Sequence, residues 1–545
     1  MPHTNPSDLS QSLDLVSALY LRWQASLDTV QARAMVWHEV DELDALDALE
    51  KAVPKKTSWS YNELKLEIEK SAGYLEGLGL KKGDVIGFQI KRNPMWLPLF
   101  LGALSQGVCV LLLNNSYTAH ELRYYLDDAQ AKFAFLPQTN IQALNEQLNA
   151  TSSRSQAQPK LIPSETIEAQ RVTSQPLTHR SDIHPNEIAV LAYTSGTTGK
   201  PKGACIRHVD IMGTLEALHQ AWEWQANDRI VHTLPLFHIH GLFVAALGAL
   251  WAGAELILMS KFEALATLKA IEHDQASILM GVPTHHHRYL KLSKKLSKLN
   301  LPKLSSLRLV TSGSAPLPAD QFQALKELFG IEVVERYGMT EVGIVLSAPL
   351  HGQKIAGSVG FPLPGVKAKV CDHDDQEVST KEIGELHITS KSLFARYHQR
   401  PEATQQSLYQ DKQGIRWMRT GDIAYCDEDG RYWLKGRASD MIISGGLNVY
   451  PKEVEQQILD LAGSWIDELA VVGIADQEWG ERVEAFITTK DEKRPSTEQI
   501  DKLYLALKSR LAAYKCPKRI HWLPSLPKNA LGKLQRFKLK EVAKK

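Results

Sequence analysis

The segment that most restricts the fold runs from Ile188 to Trp222. Ile188 to Tyr193 is an unbroken apolar run of strand length, so it reads as a strand covered on both faces. It passes directly into TSGTTGKPKGA, after which Ile211, Leu215, Leu218 and Trp222 recur at helical spacing. A buried strand that opens into a glycine-rich loop ahead of a helix belongs to an α/β layer, and a flexible Gly/Ser linker would not follow such a strand. The loop suits a phosphate group. Gly196 and Gly199 let backbone N–H groups come close, Thr194, Ser195, Thr197 and Thr198 offer hydroxyls, and Lys200 offsets negative charge. It is not a Walker A loop, because Thr194 stands where that pattern needs its first glycine and Pro201 where it needs Ser or Thr.

The same α/β alternation appears earlier. Leu64, Ile68, Ala72 and Leu75 mark a helix face, and Val85 to Ile90 reads as a strand. Two longer apolar stretches, Leu97–Leu113 and Leu234–Met259, are broken by Pro98, Gly102 and Gly107 in one and by His238, His240 and Glu255 in the other. Each therefore reads as a buried helix followed by a buried strand, with no stable membrane insertion. The Gln-, Ser- and Thr-rich stretch from Gln138 to Asn186 reads as a surface excursion or loop. Beyond Glu341, Gly and β-branched residues predict a small barrel or twisted antiparallel sheet. Pro451 then opens a helix with Glu453 and Glu455 in its first turn and Val454, Ile458 and Leu461 on one face.

At 545 residues the chain exceeds what one core organises, so at least two domains are expected. Its 63 Lys plus Arg balance 62 Asp plus Glu, which gives no electrostatic case for nucleic acid as a partner. Five cysteines (Cys109, Cys205, Cys371, Cys426 and Cys516) form no CxxC pair, and Asp8, Asp14 and Arg22 break any apolar leader. The reading is a cytoplasmic protein. The triplet His285–His286–His287 cannot converge on one metal ion, since consecutive side chains point in different directions.

Further motifs carry chemistry of their own. In RYGMTE (336–341), Tyr337 offers an aromatic face for a purine, Thr340 a hydroxyl for a phosphate and Glu341 a hard oxygen for Mg²⁺. Asp422 in RTGD can accept from ribose hydroxyls, although Asp is also a common turn residue. Lys533, in an ALGK turn, is a cation on a loop. Together YTSGTTGKPKGA, TSGSAPLP (311–318), RYGMTE, RTGD (419–422), GRASDMIISGGLNVYPKEVE (436–455) and PKNALGK (527–533) resemble, in order, the motifs of the adenylate-forming superfamily, which includes acyl-CoA synthetases, luciferase and peptide adenylation domains.

That resemblance implies a fold: a large N-terminal α/β domain, with two α/β layers plus a small β-barrel, over 1–436, and a small α+β C-terminal domain over 437–545. It implies ATP-dependent joining of a carboxylic acid to CoA through an acyl-adenylate, with Mg²⁺ as cofactor. ATP would be held by residues 194–200, Gly313, Ser314, Ala315, Tyr337, Gly338, Thr340, Asp422 and Arg437. Glu341 would bind the metal. Lys533 would reach the acid carboxylate and α-phosphate, where charge builds in the transition state. His238 would be the gate beside the acyl pocket. Ser444, Gly445 and Gly446 would line the passage for the pantetheine arm, where the two glycines fit because a side chain would block a narrow passage. The C-terminal domain would turn between the two half-reactions on a hinge at Ser439, where the family carries Asp or Lys.

The acid itself is read from charge. Arg288 in GVPTHHHRYL and Arg336 are expected on the acyl pocket, and an unpaired guanidinium in an apolar pocket calls for an anion. Glu335 would point away along its strand. The strings ERYGMTE and GVPTxxxR also resemble malonyl-CoA synthetases, which implies malonate or another short dicarboxylate. A fatty-acid or aryl-acid ligase and an enzyme loading a carrier protein remain the alternatives.

Overall fold

The computed structural model describes residues 13–27, 32–40, 56–150, 158–195, 201–296, 301–314, 317, 319–437, 442–449, 451–527 and 536–543. Within them the strands form three sheets of fourteen, seven and five members. The seven-stranded sheet is parallel in its centre. Ile188–Ser195 lies between Cys109–Leu112 and Pro201–Arg207, and Val85–Phe88 lies beyond Cys109–Leu112. The loop motif therefore joins two antiparallel neighbours, Ile188–Ser195 and Pro201–Arg207, before the helix His208–Ala221 begins.

The largest sheet has two characters. Its strands Arg33–His38, Glu255–Met259, Arg229–His232, Ile278–Gly281, Leu309–Ser312 and Val334–Met339 run parallel. From Gly343 onward its neighbours pair antiparallel, in line with the β-branched, glycine-rich composition there. The third sheet is built from Ile442–Ser444, Leu447–Val449, Ile466–Asp476, Gly480–Thr489 and Arg519–Trp522. It packs against the helix Pro451–Ala462, whose Val454 and Ile458 are fully buried.

Helix periodicity maps onto burial directly. In Tyr61–Gly77, Leu64, Ile68, Ala72 and Leu75 are buried, and a Ser60–Glu63 capping box satisfies the first turn. Trp96–Ser105 is buried throughout and runs into the buried strand Cys109–Leu112. No helix among the described residues is long and apolar enough to cross a membrane. One expectation is corrected: the polar stretch from Gln138 holds a helix (Gln138–Ala150), the edge strand Lys160–Pro163 and a short helix (Ile167–Val172). Its polarity reflects a place at the sheet margin, where a few anchors such as Ile141, Leu144, Ile162 and Ile167 suffice for docking.

Candidate active site

Two of the sheets meet at a single carboxylate. The strands Val334–Met339 and Gly343–Ser347 form a hairpin whose tip carries Thr340 and Glu341. Glu341 is 3% exposed, and its Oε1 accepts hydrogen bonds from Thr194 Oγ1 at 2.9 Å and Tyr397 Oη at 2.8 Å. Thr194 comes from the end of Ile188–Ser195, so the phosphate-type loop and RYGMTE converge although 147 positions separate the two residues. A cavity of about 70 Å³ opens beside them, lined by Thr194, Phe237, His238, Thr340, Leu447 and Lys515 among others. Tyr397 was not foreseen, whereas Lys202 is the second lysine of the phosphate-type loop. Lys202 Nζ lies 5.3 Å from the Tyr397 ring centre, and burial lowers its proton affinity while Glu341 raises it. Lys202 belongs to the recognised motif, whereas Tyr397 sits in a stretch with no chemical signature.

A second junction lies at Tyr337, whose hydroxyl donates to Asp422 Oδ2 at 2.6 Å. Asp422 stands opposite Arg437 in the antiparallel ladder between Arg416–Cys426 and Tyr432–Arg437. The aromatic face, the acid and the arginine expected around a nucleoside thus share one place. Gly338 follows Tyr337 on the strand, with the Gly343 carbonyl 2.1 Å from where a Cβ would stand.

Arg336 is 4% exposed and lies across Gly313, where a Cβ would come within 2.5 Å of the guanidinium carbon. Glycine at 313 is what lets that group enter. Its Nε and Nη2 have no hydrogen-bond partner among the described residues, and burial pulls its pKa down to about 9. Burial, and secondarily Arg336, holds His238 at about 4, and the same causes push His240 well below its ordinary value. Both rings are neutral at pH 7, so neither offsets nor adds to the guanidinium charge. Ser314 takes a left-handed φ of 68° and brings Oγ to 3.5 Å from His240 Nδ1. Glu335 does face away: its Oε1 accepts from the Gly357 N–H at 2.8 Å, and burial raises its pKa to about 7.

Arg288 is more open than Arg336: its side chain is 48% exposed, 3.6 Å from Glu478 and over the Phe262 ring. In the helix Pro283–Lys295 the inward positions are His286, bonded to the Thr311 carbonyl, and Tyr289. Arg288 lies between them in sequence and projects from another face. His285 stacks on Phe262 at 3.8 Å, so the histidine triplet diverges as expected.

Ser444, Gly445 and Gly446 form the tip of a two-residue hairpin, with both glycines at positive φ. Ser444 is fully buried, the Gly445 N–H donates to the Trp479 carbonyl at 2.8 Å, and a Cβ on Gly446 would touch Val282 at 3.4 Å. Val282 is the residue of GVPT that caps the helix Pro283–Lys295, so the third sheet presents its tip to the wall expected to hold the acid. Gly196, Thr197, Thr198, Gly199, Lys200, Ala315, Ser439 and Lys533 lie outside the described residues, and Ser195 and Arg437 are described as strand positions only.

This fold and this convergence of hydroxyls, acid and aromatic face define an enzyme that activates a group with a nucleotide. The chain belongs to the AMP-binding enzyme family, which matches residues 30–398, while the C-terminal domain of such enzymes matches 453–533. It is an AMP-forming acid–CoA ligase, with ATP, CoA and a carboxylic acid as substrates. A long-chain-fatty-acid–CoA ligase of Bacillus subtilis is 32% identical over 90% of this chain and 92% of its own. A malonate–CoA ligase of Arabidopsis thaliana is 32% identical over 86% and 79%. Among solved structures, ATP-bound MatB of Rhodopseudomonas palustris is 30% identical over 98% of this chain and 99% of its own, with a TM-score of 0.67. An o-succinylbenzoate CoA synthetase double mutant from Bacillus subtilis, bound to a product analogue, is 25% identical over 97% and 99%, yet scores 0.81.

Proposed function

We propose that the acid is malonate or another short dicarboxylate. The observation that supports this most is Arg336, a buried guanidinium with two nitrogens lacking partners among the described residues, beside two neutral histidines. A charge so placed is costly unless an anion joins it, and a substrate's second carboxylate is the anion that an acid site can supply. Relatives of equal identity act on malonate and on long-chain fatty acids, so relatedness alone does not choose between them. The guanidinium favours malonate.

In this reading Thr194, Thr340 and residues 195–200 hold the phosphates, Tyr337 and Gly338 flank the adenine with Gly313, Ser314 and Ala315, and Asp422 and Arg437 bind the ribose. An oxygen of the acid attacks the α-phosphorus and the bond to pyrophosphate breaks. Lys533 offsets the charge on both reacting anions. Glu341, with the hydroxyls of Thr194 and Thr340 nearby, is a hard-oxygen donor set that fits Mg²⁺, which when bound neutralises phosphate charge. His238 walls the acyl pocket. In the second half-reaction the CoA sulfur attacks the acyl carbonyl, AMP departs, and the pantetheine arm passes Ser444, Gly445 and Gly446. The C-terminal unit begins at Arg437 and turns near Ser439, which accords with the change from the large sheet to the third sheet between Arg437 and Ile442. The five unpaired cysteines suit the cytosol.

Pyrophosphate exchange over a panel of malonate, methylmalonate, butyrate, a long-chain acid and an aryl acid tests the reading. Adding CoA or a carrier protein as acceptor then separates the ligase from a carrier-loading enzyme. Malonate with CoA is the expected best pair, and a preference for butyrate or longer acids rejects the dicarboxylate.

A further inference from the structure

One buried ion cluster borders the cavity described above, with no role in the steps proposed so far, and it joins the two family-matched parts of the chain. Lys515, in the C-terminal match, is 2% exposed. Its ammonium lies 2.7 Å from Glu453 Oε1 in the same part and 3.1 Å from Glu121 Oε1 in the large part. Rings from both sides close around it, with the Tyr117 centre at 4.9 Å and the Tyr514 centre at 5.9 Å. Two neighbouring contacts cross the same seam: Thr118 Oγ1 donates to the Arg510 carbonyl at 3.0 Å, and Asn114 Nδ2 to Tyr514 Oη at 3.5 Å.

We propose that the Lys515–Glu121 pair is a clamp that holds the C-terminal unit where the Gly445–Gly446 tip meets Val282, and that it thereby supports thioester formation selectively over adenylation. This rests on the role proposed above for that tip. Buried ion pairs contribute little net stability, because desolvation offsets their attraction. Their attested use is to select one register over others, since a displaced partner strands a buried charge. Glu121 is 7% exposed and fixed by its own capping box with Thr118, so it is a rigid acceptor on the helix Ala119–Asp128. Lys515 fits it in the present arrangement of the two parts. The higher likeness to the product-analogue complex than to the ATP-bound enzyme, at lower identity, fits an arrangement used after adenylation. Lys515 also lines the cavity with Thr194 and His238, which places the clamp one side chain from the acid site.

Glu121→Gln tests this, because the amide oxygen can keep the capping box with Thr118 while the acceptor and the charge that face Lys515 are lost. Pyrophosphate exchange and single-turnover transfer from pre-formed acyl-adenylate to CoA are measured on the full chain with the acid that the wild type prefers. Amide hydrogen exchange is followed over 506–516, and thermal melting controls for folding. The expected result is exchange activity within about twofold of wild type, transfer slowed about tenfold, and faster amide exchange over 506–516. Glu453→Gln, which leaves the cross-seam pair intact, should transfer at close to the wild-type rate. Equal losses in both half-reactions, unchanged transfer, or an equal transfer defect in Glu453→Gln each overturn the proposal. If transfer is unchanged, amide exchange tells which part failed: protected amides reject the clamp itself, and exposed ones reject the role of the glycine tip.

Discussion

Replacing Arg336 with methionine tests the acid assignment. Methionine keeps an aliphatic stem across Gly313 while deleting the guanidinium, so the loop after Leu309–Ser312 retains its packing. Truncating one partner of a buried charge pair costs about 2–5 kcal/mol. At roughly 1.4 kcal/mol per tenfold, the specificity constant for malonate should fall by ~30-fold to several thousand-fold. Butyrate has the length of the dicarboxylate without its second charge, so its specificity constant should hold or rise once the desolvated cation is gone. Stability gives an independent sign. Nε and Nη2 lack partners among the described residues, and an unsatisfied buried donor costs about 1–3 kcal/mol. The substrate-free variant should therefore melt higher than wild type, against the usual direction for a core substitution. A coupled pyrophosphate assay with both acids and a thermal melt suffice. Parallel losses on malonate and butyrate, together with a lower melting temperature, would show that Arg336 is structural and refute the reasoning.

Lys533→Ala should lower pyrophosphate exchange on the order of a hundredfold or more, as for loss of an electrostatic catalytic donor, and leave transfer from pre-made acyl-adenylate intact. Equal loss in both would reject its assignment to the first step. Gly446→Trp should do the reverse, sparing exchange and stopping CoA ester formation, since an indole would fill the space against Val282. Glu335→Gln concerns stability against pH. The carboxyl is raised from 4.5 to about 7 by burial, so its contribution is fully present below pH 4.5 and is lost as pH rises through 7. Denaturation midpoints should thus fall across that window by the equivalent of about 3 kcal/mol in wild type and much less in the variant, which keeps the acceptor for Gly357. Identical slopes would assign the titration to other groups.

What could be read from the chain divides by range. Local chemistry was legible: apolar spacing marked the helix Tyr61–Gly77, and Gly445–Gly446 announced a tight turn. Motifs carried the site because each is a short string whose backbone shape follows from its own glycines. Thr194 accordingly reaches Glu341 and shares a cavity with Thr340, while Tyr337 meets Asp422. What was not legible has another cause. Arg288 and Arg336 look alike as letters, and only the helix face of one and the strand alternation of the other leave the first half-exposed and bury the second. Gln138–Ala150 is polar because it docks at a margin, a fact about its neighbours rather than its residues.

Lys515 sets the limit of this kind of reading. A lysine in AAYKCPK is, by composition, a solvated cation, and nothing beside it in sequence argues for burial. Its partners lie 62 and 394 residues away, on helices belonging to the two family-matched parts. Burial of such a charge follows only when both carboxylates arrive together, which is a property of the assembled seam. That dependence also gives the cluster information that no single motif holds. In the structure the cluster is satisfied in the same arrangement that brings Gly446 to Val282, so its integrity and that approach can be followed together.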